Sequence, residues 1–144
     1  DNGARRIREK LSKYFEGDYA LPGYSEALRV LLNAADHGAA TAQYALGYIY
    51  SAGLGVPHDF AEATKWWLKS AERGSAGGQY ALGLMYVEGL GVPQHYVRAH
   101  MWLNLAASQG IENAIEVRDD LASSYMSHEQ IAEAQQLAVE WGPK

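Results

Sequence analysis

The chain has 144 residues, is 48% hydrophobic, and carries a formal charge of −5 at pH 7. That length supports one sizeable core but not two independent ones, and the apolar content excludes a disordered chain. Cysteine is absent, which rules out disulfides and thiolate chemistry and leaves the redox compartment unmarked.

Residues 1–38 are a weakened copy of a 36-residue unit that is written out in full twice further on. A shift of one period aligns Tyr14 with Tyr50, Gly17 with Gly53, Tyr24 with Phe60, Ala27 with Ala63, Leu31 with Trp67, Ala35 with Ala71 and Gly38 with Gly74. Leu11 stands where the later units have a mid-helix glycine, and Arg5, Arg6, Arg8, Lys10 and Lys13 make this first helix basic. Terminal repeats need a face that tolerates water, so divergence of this kind marks a cap. Glu9 and Glu16 interrupt the basic run and the whole chain is acidic, so a solvated cap is expected rather than a nucleic-acid surface.

The two full copies are Ala39 to Gly74 and Ser75 to Gly110, identical at sixteen positions without a gap. A period of this size with helical patterning predicts an all-α, right-handed superhelical solenoid of about four antiparallel helix pairs. In the first copy Ala42, Ala45, Leu46, Ile49 and Tyr50 fall on one apolar face of a helix A running from about Ala40 to Ala52. Gly47, like Gly83 one unit later, costs helix stability and implies close approach of another helix backbone. Gly53 fits a left-handed C-cap, GLGVP turns the chain, and Asp59 with Glu62 predicts an N-cap with a capping box. Helix B then turns Phe60, Ala63, Trp67, Ser70 and Ala71 inward, with Trp66 and Trp67 supplying buried area between units.

Residues 111–144 drop the glycine punctuation and read as two closing helices. Ile111, Ala114, Ile115, Arg118, Leu121 and Ala122 pattern the first. Ser127 with Gln130 forms a second capping box, after which Ile131, Ala134, Leu137, Ala138 and Trp141 form an apolar stripe and Trp141 seals the core. Charge is uneven along the chain: residues 1–16 carry +2, residues 17–110 carry −2 and residues 111–144 carry −5. Such polarity can steer a cationic partner or support head-to-tail self-association.

The repeats resemble the Sel1-like repeat, a relative of the tetratricopeptide repeat. The first copy matches through Ala40, Ala42, Gln43, Tyr44, Leu46, Gly47, Tyr50, Gly53, Gly55, Val56, Pro57, Asp59, Ala63, Trp66, Ala71 and Gly74. The second departs at Gly78, where the second small residue would be, and at His95, where the capping Asp would be, so its helix B is expected to start less well capped. The resemblance implies a helical-repeat domain over 1–144, with 1–38 and 111–144 as degenerate caps. It also implies a non-catalytic adaptor for macromolecular assemblies, in bacterial envelope, secretion, motility or polysaccharide regulation or in eukaryotic membrane-protein degradation.

Little in the sequence carries chemistry. His37, His58, His95, His100 and His128 are scattered, and the five-residue spacing of His95 and His100 is wrong for two ligands on one helical face, so surface histidines are expected. Asp119 and Asp120 are adjacent and point apart, a poor acid/base pair. The glycines Gly74, Gly77 and Gly78 occupy an inter-repeat turn rather than an anion cradle. No nucleophile elbow, phosphate loop or dinucleotide fingerprint is present, and no cofactor or metal is expected.

Function is therefore assigned to a surface. Tyr44, Leu46, Gly47 and Tyr50 are shared by both copies and are read as packing residues. The stripe that varies at three of its four positions, Thr41, Ala45, Tyr48 and Ala52 in one helix A and Gly77, Ala81, Leu84 and Glu88 in the next, is the expected concave face. On it Thr41, Tyr48, Ala52, Leu84 and Glu88 would contact an extended or helical segment of another protein; a structural reading places Tyr48 and Leu84 partly between repeats. The alternative is a small-ligand or cell-wall-fragment binder with sensing or weak enzymatic activity, which would need a pocket with converging polar groups. No apolar run approaches the roughly 20 residues that span a bilayer, so membrane insertion is not expected. The chain begins at Asp1, as in a processed mature chain or an excised piece, and a bacterial periplasmic or secreted setting is expected from the resemblance, with a cytoplasmic one still open.

Overall fold

The computed structural model describes residues 24–144; the basic first helix, Tyr14 and Gly17 lie outside the described residues. Seven α-helices follow one another with no strand among the described residues: α1 (Tyr24–Asp36), α2 (Ala40–Ala52), α3 (Phe60–Glu72), α4 (Ala76–Glu88), α5 (Tyr96–Ser108), α6 (Glu112–Tyr125) and α7 (His128–Glu140). The expected all-α solenoid is what forms. Helices α2 and α3 make one hairpin, α4 and α5 the next, and α3 packs on α4 to join them.

Local signals set the boundaries of these hairpins. Gly53 and Gly89 adopt left-handed conformations after α2 and α4, with φ of 65° and 69°, and return their N–H groups to Ile49 O and Met85 O. Such positive φ is cheap only for glycine. The Asp59 carboxylate caps α3 by accepting from Glu62 N at 3.1 Å. Only half of the expected capping box forms, because Glu62 Oε1 turns to Lys65 instead, while the Asp59 N–H donates to Tyr50 O. His95 corrects the expectation of a poor cap on α5: its Nδ1 accepts from Arg98 N at 3.2 Å. At Ser127 both halves of the capping box are present.

The tightest neighbours of the mid-helix glycines are side chains, and at Gly83 the expected helix backbone is close as well, Ala99 O lying 3.4 Å from where a Cβ would sit. A Cβ on Gly47 would lie 2.2 Å from the Trp67 indole nitrogen, and one on Gly83 would lie 2.8 Å from Leu103 Cγ. Trp67 thus nests in the notch of α2 and donates its Nε1–H to Tyr44 O at 3.3 Å. Its neighbour Trp66 faces a different cluster, with Leu46, Ile49, Leu54 and Ala35, while Trp67 joins Tyr48, Tyr80, Leu82, Trp102, Leu103 and Leu121. Leu46, Ile49, Leu82 and Leu103 are wholly buried, each contributing about 1.5–3 kcal/mol of transfer free energy.

The last two helices depart from the hairpin pattern. Both α6 and α7 pack on α5, but they do not pair with each other as α2 and α3 do. In the register of Gly47 and Gly83 this unit has Asp119, so α6 offers no notch to receive a helix B. Helix α7 instead lies over α5, where Trp141 meets Trp102 edge-on at 6.0 Å. The extended tail then reaches α3, the Lys144 N–H donating to Glu72 O at 2.7 Å.

Candidate functional site: the face of the first helices

Tyr44 of α2 reaches across to α4, its ring covering Gly77 so closely that a Cβ there would sit 2.6 Å from it. Along this face runs a row of phenols. Tyr44 stands edge-on to Tyr48 at 5.0 Å, donating its hydroxyl hydrogen bond to the Tyr48 oxygen at 3.3 Å, and Tyr48 stands edge-on to Trp67 at 5.2 Å. Burial pushes the Tyr44, Tyr48 and Tyr80 hydroxyls above the usual phenol range, with Glu116 adding to the effect at Tyr80. A low-dielectric setting penalises the phenolate, so these groups stay neutral and offer donors and acceptors, not charge.

The stripe expected to bind a partner divides on this face. Thr41 and Glu88 are exposed, and Ala45, Ala52 and Leu84 are half-buried. Tyr48 is only 4% exposed and packs in the core, as does Ala81. The expectation that Tyr48 presents an aromatic surface to a partner is corrected by that burial: Trp67, nested in the Gly47 notch, holds its ring from behind. Thr41, Ala52, Leu84 and Glu88 remain at the surface around the phenol row.

Other expectations are settled by packing. Gly77 and Gly78 make room for Tyr44 and for Ser70 Oγ, which a Cβ on Gly78 would approach to 2.0 Å. His37, His58, His95 and His128 are exposed, but His100 is not: it is 3% exposed and its Nδ1 has no partner. Burial and the nearby Arg118 push its pKa down, against an opposing pull from Asp119. His100 occupies the register of Thr64, whose hydroxyl bonds Leu90 O in the next repeat's turn; the last unit lacks that turn, and His100 Nδ1 is buried with no partner. Among the described residues no group of three or more His, Cys, Asp or Glu is placed to hold a metal ion.

Two further concave surfaces were not anticipated. One, of about 510 Å³, lies between α3, α4, α5 and α7 and includes Tyr86, Arg98, Trp102, Glu133 and Leu137. The other, of about 270 Å³, lies beside Gln43, Arg73 and the tail at Lys144. The clue to the second was the glutamine shared by both copies, Gln43 and Gln79, a polar side chain on an otherwise apolar face that must find a buried partner.

Stacked helical hairpins with a repeated glycine notch, and a variable surface on their first helices, define an α-solenoid repeat protein. The sequence model of the Sel1 repeat family matches residues 40–75 and 76–111, and the chain belongs to that family, whose repeats are generally scaffolds for protein–protein interaction. A Sel1 repeat protein from Oxalobacter formigenes is 39% identical with a TM-score of 0.67, over 68% of this chain and 29% of that one. The c5321 protein, a protective antigen of uropathogenic Escherichia coli with the same repeat fold, is 29% identical with a TM-score of 0.78, over 94% of this chain and 29% of that one. The chain therefore spans less than a third of the length of either bacterial neighbour. None of the curated proteins compared matches it. No helix among the described residues is long and apolar enough to cross a membrane.

Proposed function

We propose that this domain is a non-catalytic adaptor that holds a segment of another protein across the face of α2 and α4, in a bacterial envelope, secretion or signalling assembly. The carrying observation is the division of that face: positions shared by the repeats are mostly buried, while Thr41, Ala52, Leu84 and Glu88, which differ between them, reach the surface. Scaffolds of this kind keep a constant frame and vary the residues that contact partners. Half-buried Tyr44 supplies aromatic area, Leu84 an apolar contact and Glu88 an anionic one, which favours a partner segment that is apolar with a cationic end.

The test is site-specific photocrosslinking in the source cell. A photoreactive residue at Thr41 or Glu88 is expected to capture the same protein, and one at Arg98 on the far side none. A Thr41→Arg, Glu88→Arg variant with an unchanged circular dichroism spectrum should lose that protein. Capture from Arg98 but not from Thr41 and Glu88 would move the interface to the groove beside α7 and refute the assignment.

A further inference from the structure

The two repeats share a polar clamp that is complete in one and open in the other. In the second repeat Gln79 donates to Ala71 O at 3.4 Å, and its Oε1 accepts from Gln109 Nε2 at 2.9 Å, which also donates to Gly74 O at 3.0 Å. One period earlier the same places are held by Gln43, Ala35, Arg73 and Gly38. Gln43 donates to Ala35 O at 3.0 Å, but its Oε1 is buried without a partner although the side chain is 97% enclosed, being 3% exposed. The Arg73 guanidinium lies over Gly38, where a Cβ would meet it at 2.4 Å, and makes neither of the bonds that Gln109 makes.

The cavity of about 270 Å³ opens at this clamp, lined also by Asp36, Lys69, Glu72 and Lys144. Lys144 stands 3.9 Å from Glu72, and Lys69 lies over the Trp66 ring at 4.8 Å. Among the described residues, Arg73, Lys69 and Asp36 are left with no ion-pair partner. The opening thus presents the cations of Arg73 and Lys69 and the carboxylate of Asp36, and beneath them lies one buried acceptor that has no donor, Gln43 Oε1. Its volume is below the about 300–1,000 Å³ of pockets for drug-sized ligands, and a buried acceptor without a donor is costly enough to reward any ligand N–H that reaches it.

We propose that this cavity binds a small zwitterion of the α-amino-acid class, its carboxylate paired with Arg73 and its ammonium donated to Asp36 and to Gln43 Oε1. Both charges are required, because the cavity offers both complements: a simple carboxylate leaves Asp36 and Gln43 unanswered, and a simple amine leaves Arg73 so. Binding draws the guanidinium off Gly38 and opens Gln43 to the ligand. This site lies apart from the face of α2 and α4 and does not depend on the adaptor reading.

The experiment is a heteronuclear NMR titration of the chain with glycine, acetate and methylammonium. Glycine is expected to shift the Gly38 and Arg73 amides and the Gln43 side-chain NH₂, at least about tenfold more tightly than either single-charge probe. Arg73→Gln copies Gln109 and closes the clamp, so it should fold, melt at a higher temperature and lose glycine binding. Asp36→Asn should fold and bind glycine no better than acetate. No shift with glycine, equal shifts with acetate, or glycine binding that survives Arg73→Gln would each overturn the proposal. Thr41→Arg, which tests the adaptor face, should leave the glycine titration unchanged.

Discussion

Gly47→Ala and Gly83→Ala are the same substitution at the same register, and the structure predicts unequal costs. Alanine is favoured over glycine in a helix by about 1 kcal/mol, so each variant starts with a gain. At Gly47 the new methyl would lie 2.2, 2.3 and 2.6 Å from three atoms of the Trp67 indole. A rigid ring wedged between Tyr48 and the α2 backbone cannot yield by rotating one bond. Displacing it costs about 1–3 kcal/mol of overpacking and breaks the Nε1–H bond to Tyr44 O, leaving a buried polar group unpaired for about 1–3 kcal/mol more. The net expectation is a loss of about 3 kcal/mol. At Gly83 the methyl meets Leu103 at 2.8 and 2.9 Å and Ala99 O at 3.4 Å; the leucine is a flexible side chain with no hydrogen bond to lose, so overpacking at about its lower limit is nearly offset by the helix gain. Urea denaturation followed by circular dichroism measures both. Trp67→Leu, which copies the second repeat, should then be less harmful in the Gly47→Ala background than alone, with a coupling of at least about 1 kcal/mol. Equal costs for the two glycine variants, or strict additivity with Trp67→Leu, would refute the notch argument.

Three further outcomes follow from the same contacts. Gln109→Ala removes the donor to buried Gln79 Oε1 and should lower stability by about 1–3 kcal/mol in denaturant unfolding, whereas Gln94→Ala, whose exposed side chain bonds only Val87 O, should cost less. His100 is held below its ordinary pKa of 6.5 by burial and Arg118. The unfolded chain therefore takes up the proton first, and stability that is complete above about pH 6.5 should fall as the pH drops towards the folded-state value; His100→Thr, matching Thr64, should flatten that dependence in unfolding curves recorded across it. Ser127→Ala removes the hydroxyl that accepts from Gln130 N, one half of the capping box on α7, and should cost about 1 kcal/mol. Hydrogen exchange should then quicken in α7 and at Lys144 while α2 to α5 stay protected.

Much of the frame was legible in the sequence because the period of 36 repeats each local signal twice. Gly53 and Gly89 read as left-handed caps from their place after an apolar helix, and Ser127 with Gln130 read as a capping box, since both depend only on neighbours along the chain. The variable stripe was legible as a stripe but not as a surface. Tyr48 and Thr41 share one helical face, yet Trp67, nested in the Gly47 notch twenty residues away, closes over one and leaves the other open.

The sequence by itself determined the helices, their pairing within each repeat and the family, because caps, turns and the glycine notch act over one hairpin. Only the tertiary structure decided what crosses between units. Asp119 in the glycine register denies α7 a notch on α6 and sends it over α5, burying Trp141 against Trp102 and bringing Lys144 to Glu72. The same long-range packing buries His100 Nδ1 without a partner, and it leaves Gln43 beside Arg73 where the next repeat has a closed clamp. A buried polar group is satisfied or orphaned by atoms far away in the chain, and no pattern confined to one repeat can say which.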